Sequence, residues 1–119
     1  MSVASVDGQL VRAFLRLRRL RAQYFLPAPF ADPAWDILLD LAAARIERRR
    51  VAVSSLCIAA AVPATTALRW ISQMTEQHLL VRHPDPRDGR LVFIGLSEPA
   101  ALAMENYLAT ARRIVAPVG

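Results

Sequence analysis

Apolar residues return at helical spacing from Gln9 to Leu26, where Leu10, Phe14, Leu17, Leu20 and Tyr24 form one stripe and Arg12, Arg16, Arg19 and Gln23 the opposite side. The pattern predicts an amphipathic helix over 9–26. Pro27 and Pro29 end it, because proline lacks an amide hydrogen and pushes its predecessor out of the helical region. Asp32-Pro33 predicts the next start, the carboxylate capping free amides and the proline suiting the first turn. The helix from Pro33 to about Arg49 is expected to bury Trp35, Leu38, Leu39, Ala42 and Ile46, with Asp36 and Asp40 facing away.

Val51 to Val53 reads as a short extended piece, and Ser54 as the cap of a short apolar helix over 55–61. Pro63 opens another helix over 64–77 after a turn of a couple of residues, the outline of a helix-turn-helix. Leu79 to His83 and Leu91 to Leu96 are strand-like, and the turn formers from Pro84 to Arg90 between them predict a β-hairpin with a charged tip. Ser97 is placed to cap a last helix over about 99–115, with Leu102, Met104, Leu108 and Ala111 as its buried stripe. No repeat, low-complexity segment or linker divides the chain. The expectation is one domain over 1–119, mainly α with a small β-hairpin: an N-terminal helix (9–26), a helix-turn-helix and wing core (33–96) and a C-terminal helix (98–115).

Composition supports a folded chain, since 55% hydrophobic against 21% charged residues can offset the entropy of ordering 119 of them. The lone Cys57, with only His78 and His83 to help it, supports neither a disulfide framework nor a metal centre, so no metal and no cofactor are expected. No apolar run approaches the ~20 residues of a membrane span and no secretory leader is visible, which makes a cytoplasmic protein the expectation. Catalysis finds no glycine-rich phosphate loop, nucleophile elbow or histidine and carboxylate constellation, so an enzyme is not expected.

The formal charge of +5 points to an acidic partner, nucleic acid being the commonest for a small domain. Every basic residue is arginine, a bias that GC-rich coding alone can produce, so location is more informative than type. Residues 9–26 carry five arginines and no acid, residues 27–44 carry three aspartates, and residues 45–90 carry eight arginines against four acids. The first block either pairs with Asp36 and Asp40 or extends a phosphate contact.

The element order is that of a winged helix-turn-helix. On residues 56–81 and 82–97 the chain resembles the MarR family of bacterial transcription regulators, and the most specific feature is Asp88-Gly-Arg90 followed by Leu96-Ser97, similar to the family's wing signature. The resemblance covers about residues 33–112. It implies a homodimer that binds a pseudo-palindromic operator in double-stranded DNA, as a repressor, with helix 64–77 in the major groove and wing 84–90 at the minor groove. A further implication is a small aromatic or lipophilic effector that releases the DNA.

A recognition helix needs small or polar residues on its exposed first turns to approach base edges and phosphates. Pro63, Ala64, Thr65, Thr66, Arg69 and Gln73 are therefore the candidate DNA-binding residues of the helix, while Ala67, Ile71 and Met74 would pack on the helix before it. Arg87 and Arg90 are the candidates on the wing, where the negative potential of the minor groove attracts guanidinium groups. Asp88, a poor phosphate ligand, would orient Arg90 through a charge-assisted bond.

Other residues carry two readings each. Arg48-Arg49-Arg50 would touch phosphates or stabilise a helix C-terminus. Asp88 with Arg90 would simply staple the hairpin. Trp70 would stack on a ligand or sit partly in the core, and Cys57 would sense oxidants or be an inert packed thiol. His78 stands where the family usually has glycine and is expected to end the helix. Ala61 replaces a common turn glycine, Glu98-Pro99-Ala100 departs from the family pattern, and only one C-terminal helix fits where the family dimerises through long ones. The stripe from Leu10 to Tyr24 would pack on a second subunit or on its own domain. A reading from a different class is a protein-interaction adaptor that uses the apolar faces of the outer helices without binding DNA.

Overall fold

A computed structural model describes residues 3–24, 32–60 and 62–115. The elements in order are α1 (Val3–Tyr24), α2 (Pro33–Ile46), β1 (Val51–Ala52), α3 (Val53–Ala59), α4 (Ala64–Glu76), β2 (Leu80–Pro84), β3 (Val92–Leu96) and α5 (Glu98–Val115). The extended piece before α3 is a third strand: the antiparallel sheet has the order β1-β3-β2, with Val51 opposite Ile94 and Arg82 opposite that same residue from the other side. The architecture is a winged helix-turn-helix flanked by helices at both ends.

Central helix α2 packs against α1, α3, α4, β3 and α5. Asp32 caps it, its carboxylate accepting from the Trp35 amide at 3.3 Å, with Pro33 in the first turn. Being surrounded, α2 buries Ile37, Leu39, Leu41 and Ala42 to Ala44, whereas Trp35, Leu38 and Ile46 are only half-buried. The Trp35 ring meets the Tyr107 ring edge-on at 4.8 Å between centroids.

Asp36 and Asp40 do not face away from the core, contrary to expectation. Arg18 Nε donates to Asp36 Oδ1 at 2.6 Å, and Arg12 Nη1 lies 3.4 Å from Asp40 Oδ1, so both carboxylates are covered by α1. A paired charge can sit at a helix interface that an unpaired one could not. Part of the first arginine block thus neutralises the acids of α2.

The apolar stripe of α1 divides in a way the spacing does not reveal. Val11 and Leu15 are buried and Leu10 and Phe14 half-buried, but Leu17, Leu20 and Tyr24 are 60%, 40% and 73% exposed. Helix α1 begins at Val3, before the expected Gln9, and its expected last residues, 25 and 26, lie outside the described residues.

Helix α2 stops short of the expected Arg49. Arg48 adopts a left-handed φ of 58°, and the amides of Arg48 and Arg49 bond back to the carbonyls of Arg45 (3.2 Å) and Ala44 (2.8 Å). This paired closure satisfies the free carbonyls of the last turn. Ser54 is not the cap of α3: the helix starts at Val53, two residues earlier than expected, Ala52 occupies the cap position without a side-chain bond, and Ser54 is an exposed first-turn residue. Pairing of Val51 and Ala52 with β3 sets that start. Ala61 lies outside the described residues.

Ser97 does cap α5, its hydroxyl accepting from the Ala100 amide at 3.2 Å. The buried stripe of α5 is Ala100, Ala101, Met104, Leu108 and Ala111. Leu102, expected in that stripe, is 58% exposed. Two residues apart on a helix is about 200° of rotation, so Leu102 and Met104 cannot share a face.

Candidate nucleic-acid interface

Ala67, Ile71 and Met74 anchor α4 in the core, so the opposite side of the helix is turned to solvent. On that side two rows run along the axis at four-residue spacing. One is Thr65, Arg69 and Gln73; the other is Ala64, Leu68 and Ser72, and all six residues are exposed. Thr66 is half-buried and Pro63 exposed. Pro63 precedes the helix with φ −54° and ψ 146° and provides no side-chain cap, while its carbonyl accepts the Ala67 amide at 3.0 Å. The amides of the first turn are thus without a side-chain acceptor. Trp70 is half-buried against the core.

At the other end of α4, His78 takes a left-handed φ of 61°. The His78 amide bonds to the Thr75 carbonyl at 3.1 Å and the Leu79 amide to the Met74 carbonyl at 3.0 Å. This closure ends the helix where a glycine would ordinarily do so and directs the chain into β2.

Alternation along β2 buries Leu80 and places Arg82 on the same side of the sheet. There Arg82 Nη2 donates to the Ser72 hydroxyl at 3.3 Å, tying the base of the wing to α4. Neither Ser72 nor Leu68 nor Arg82 was among the candidates read from the sequence. The period of two through Leu80 and Arg82 is the signal that could have found the last of them.

The wing turn is held by its own aspartates. Asp85 Oδ1 accepts the Arg87 amide at 2.8 Å, and Asp88 Oδ1 accepts the Arg90 amide at 3.0 Å. Backbone bonds from Asp85 to Leu91 (2.9 Å) and from Leu91 to Asp88 (3.0 Å) close the loop. Asp88 therefore touches Arg90 through the main chain and makes no bond to its guanidinium, and Asp85 does the same for Arg87. The side chains of Arg87 and Arg90 are exposed, and among the described residues neither pairs with a carboxylate. The same holds for Arg69.

Most other arginines are occupied. Arg45 pairs with Glu98 at 3.1 Å, Arg49 with Glu47 at 2.9 Å, and the Arg50 guanidinium sits 3.8 Å from the centre of the Phe93 ring. Arg12 bridges Asp40 and Glu47, and Arg19 donates to the Ala59 carbonyl at 3.1 Å. The hydrogen bond from Arg12 lowers the Glu47 carboxyl below its ordinary range, against an opposing effect of burial, and Arg12 in turn is held more firmly protonated. Arg69, Arg87 and Arg90 are thus exposed arginines of α4 and the wing without a carboxylate partner among the described residues, as are Arg16 and Arg48 elsewhere. Cys57 is a buried free thiol, in keeping with the packed reading. An apolar cleft of about 280 Å³ between α2, β3 and α5 is lined by Ala42, Ile46, Leu96, Met104 and Leu108, with Arg45, Arg48 and Glu105 at its rim. Among the described residues no cluster of His, Cys, Asp and Glu could hold a metal, and no single helix is long and apolar enough to cross a membrane.

No protein-family model matches the chain, and no curated protein matches it. Solved structures do. The MepR–DNA complex of S. aureus superposes with a TM-score of 0.60 at 14% identity, over 89% of this chain and 82% of that one. A cysteine-to-serine mutant of MarR from E. coli, complexed with operator DNA, gives 0.55 at 19% identity, over 92% and 73%. BpsR of Bordetella bronchiseptica, whose DNA binding is regulated by 6-hydroxynicotinic acid, gives 0.53 at 22% identity, over 92% and 80%. The structural neighbours of this chain are thus MarR-family regulators, and it has their winged helix-turn-helix fold.

Proposed function

We propose that this chain is a double-stranded DNA-binding transcription regulator that acts in the cytoplasm as a homodimer and represses by occupying a pseudo-palindromic operator. One observation carries the reading: Thr65, Arg69 and Gln73 line the outward side of α4, while Arg87 and Arg90 project without carboxylate partners from a wing that Arg82 ties to the same helix. The row on α4 has the reach and chemistry for base edges in the major groove, with Pro63, Ala64 and Thr66 bringing the helix start close to the phosphates. The wing arginines match the minor groove, and Asp88 sets the turn from which Arg90 extends. The fold is that of proteins crystallised on DNA. No catalytic role is assigned to any of these groups.

Leu17, Leu20 and Tyr24 on α1, exposed although apolar, supply a surface for the second subunit. The cleft between α2, β3 and α5 is the place for a small aromatic or lipophilic effector, because it is apolar, carries arginines at its rim and adjoins the strand that supports the wing. Enrichment of genomic duplex fragments on the immobilised protein, followed by titration at several salt concentrations, tests the reading. A specific fragment bound with a steep salt slope supports it; retention of no duplex overturns it and leaves the adaptor reading, with partners on the outer helices.

A further inference from the structure

Leu68 is an unexpected residue on the outward side of α4. Its side chain is 44% exposed while Ala67 and Ile71 are buried, and it is the one large apolar side chain among the outward positions Ala64, Thr65, Leu68, Arg69, Ser72 and Gln73. It lies one turn beyond Ala64 and one turn before Ser72, beside the row of Thr65, Arg69 and Gln73. Ser72 is held by Arg82, so the row containing Leu68 is steadied from the wing side. Ala64 and Leu68 thus form a short apolar edge running along a polar one, within the first two turns of the helix.

In the major groove the only apolar group that a base pair presents is the C5 methyl of thymine. We infer that Leu68 is a specificity-determining residue that packs on a thymine methyl, while the adjacent row of Thr65, Arg69 and Gln73 makes the polar contacts. The inference rests on the proposed DNA-binding function and adds a base preference to it. The apolar contact supplies what hydrogen bonds cannot: discrimination of thymine from uracil, which differ only by the methyl group.

The test uses the full chain and a duplex selected from random sequence by the wild-type protein, in which each thymine is replaced in turn by deoxyuracil. Uracil keeps every hydrogen-bonding group and lacks only the methyl. In each half-site one replacement is expected to weaken wild-type binding about fourfold, the worth of one buried methyl group. Leu68→Ala is expected to bind the thymine and uracil duplexes equally at that position, and Leu68→Met to retain the preference. Because Leu68 is exposed, circular dichroism should show both variants folded as the wild type. If no single replacement affects the wild type, or if Leu68→Ala responds to the same replacement as strongly as the wild type does, the thymine contact is overturned while DNA binding stands. If no duplex is selected at all, both fall together.

Discussion

The Arg82 guanidinium on β2 donates a 3.3 Å hydrogen bond to the Ser72 hydroxyl on α4, so the wing and the helix that would enter the major groove are fastened to each other at the surface. An exposed pair of this kind contributes little to folding. Its consequence is geometric, since it links α4 and the base of the wing, the two elements proposed to meet DNA. Ser72→Ala is therefore expected to change unfolding stability by less than about 1 kcal/mol while weakening binding to a selected duplex. Urea denaturation beside a duplex titration checks this, and an unaltered affinity would speak against the tether.

Two helices close on non-glycine residues in the left-handed region, Arg48 at φ 58° and His78 at φ 61°. Glycine at either site removes the clash of Cβ with the following carbonyl but also makes the unfolded chain freer. The first effect is the larger where the closing bonds already exist. Arg48→Gly and His78→Gly are each expected to raise stability by roughly 0.5–1 kcal/mol, read from urea midpoints at unchanged slope. The β-branched His78→Val should lower it.

The 2.6 Å contact of Arg18 with Asp36 joins α1 to α2 where both side chains are largely covered, at 19% and 14% exposure. Removing one partner leaves the other charge poorly solvated. Asp36→Ala is expected to cost about 1–3 kcal/mol, and Arg18→Met with Asp36→Leu together less than the sum of the single changes. A double-mutant cycle measures the difference.

Acid should loosen the same helix pair by another route. The hydrogen bond from Arg12 holds the Glu47 carboxyl below its ordinary value of about 4.5 in the folded protein. The stabilisation is complete above that unfolded value and is lost as pH falls through the lower folded one, because the unfolded chain then binds the proton more readily. Glu47 is a third exposed, so the contribution is small and screened by salt. Glu47→Gln is expected to flatten the acid limb of the stability profile below about pH 4.5 and to leave its slope near neutrality unchanged, as measured by denaturation across pH.

Much of this fold is written locally. Asp32-Pro33 and Ser97 announce helices because capping needs only a side-chain oxygen near free amides, and the turn formers between Pro84 and Arg90 announce the wing. Where the reading fails, the missing information is a neighbour. Asp36 and Asp40 read as solvent-facing until α1 brings Arg18 and Arg12 onto them. The α1 periodicity fits two overlapping stripes, and only packing selects Val11 and Leu15 over Leu17 and Leu20. Strand β1 is too short for alternation to show, and its pairing with β3 moves the start of α3 ahead of Ser54. On the proposed interface, Thr65, Arg69 and Arg90 are legible because contact with base edges and phosphates limits the residue types that suit it. Leu68, Ser72 and Arg82 emerge only from exposure and from one contact across elements.

The central claim is that α4 and the wing grip duplex DNA, and it is tested most directly by the salt dependence of duplex affinity for the wild type, Arg90→Ala and Arg69→Ala. The wild-type affinity is expected to fall steeply with salt. Arg90→Ala should reduce that slope by about one and weaken most sequences alike, whereas Arg69→Ala should change which sequence is preferred. A wild-type affinity indifferent to salt, surviving the loss of both arginines, would contradict it.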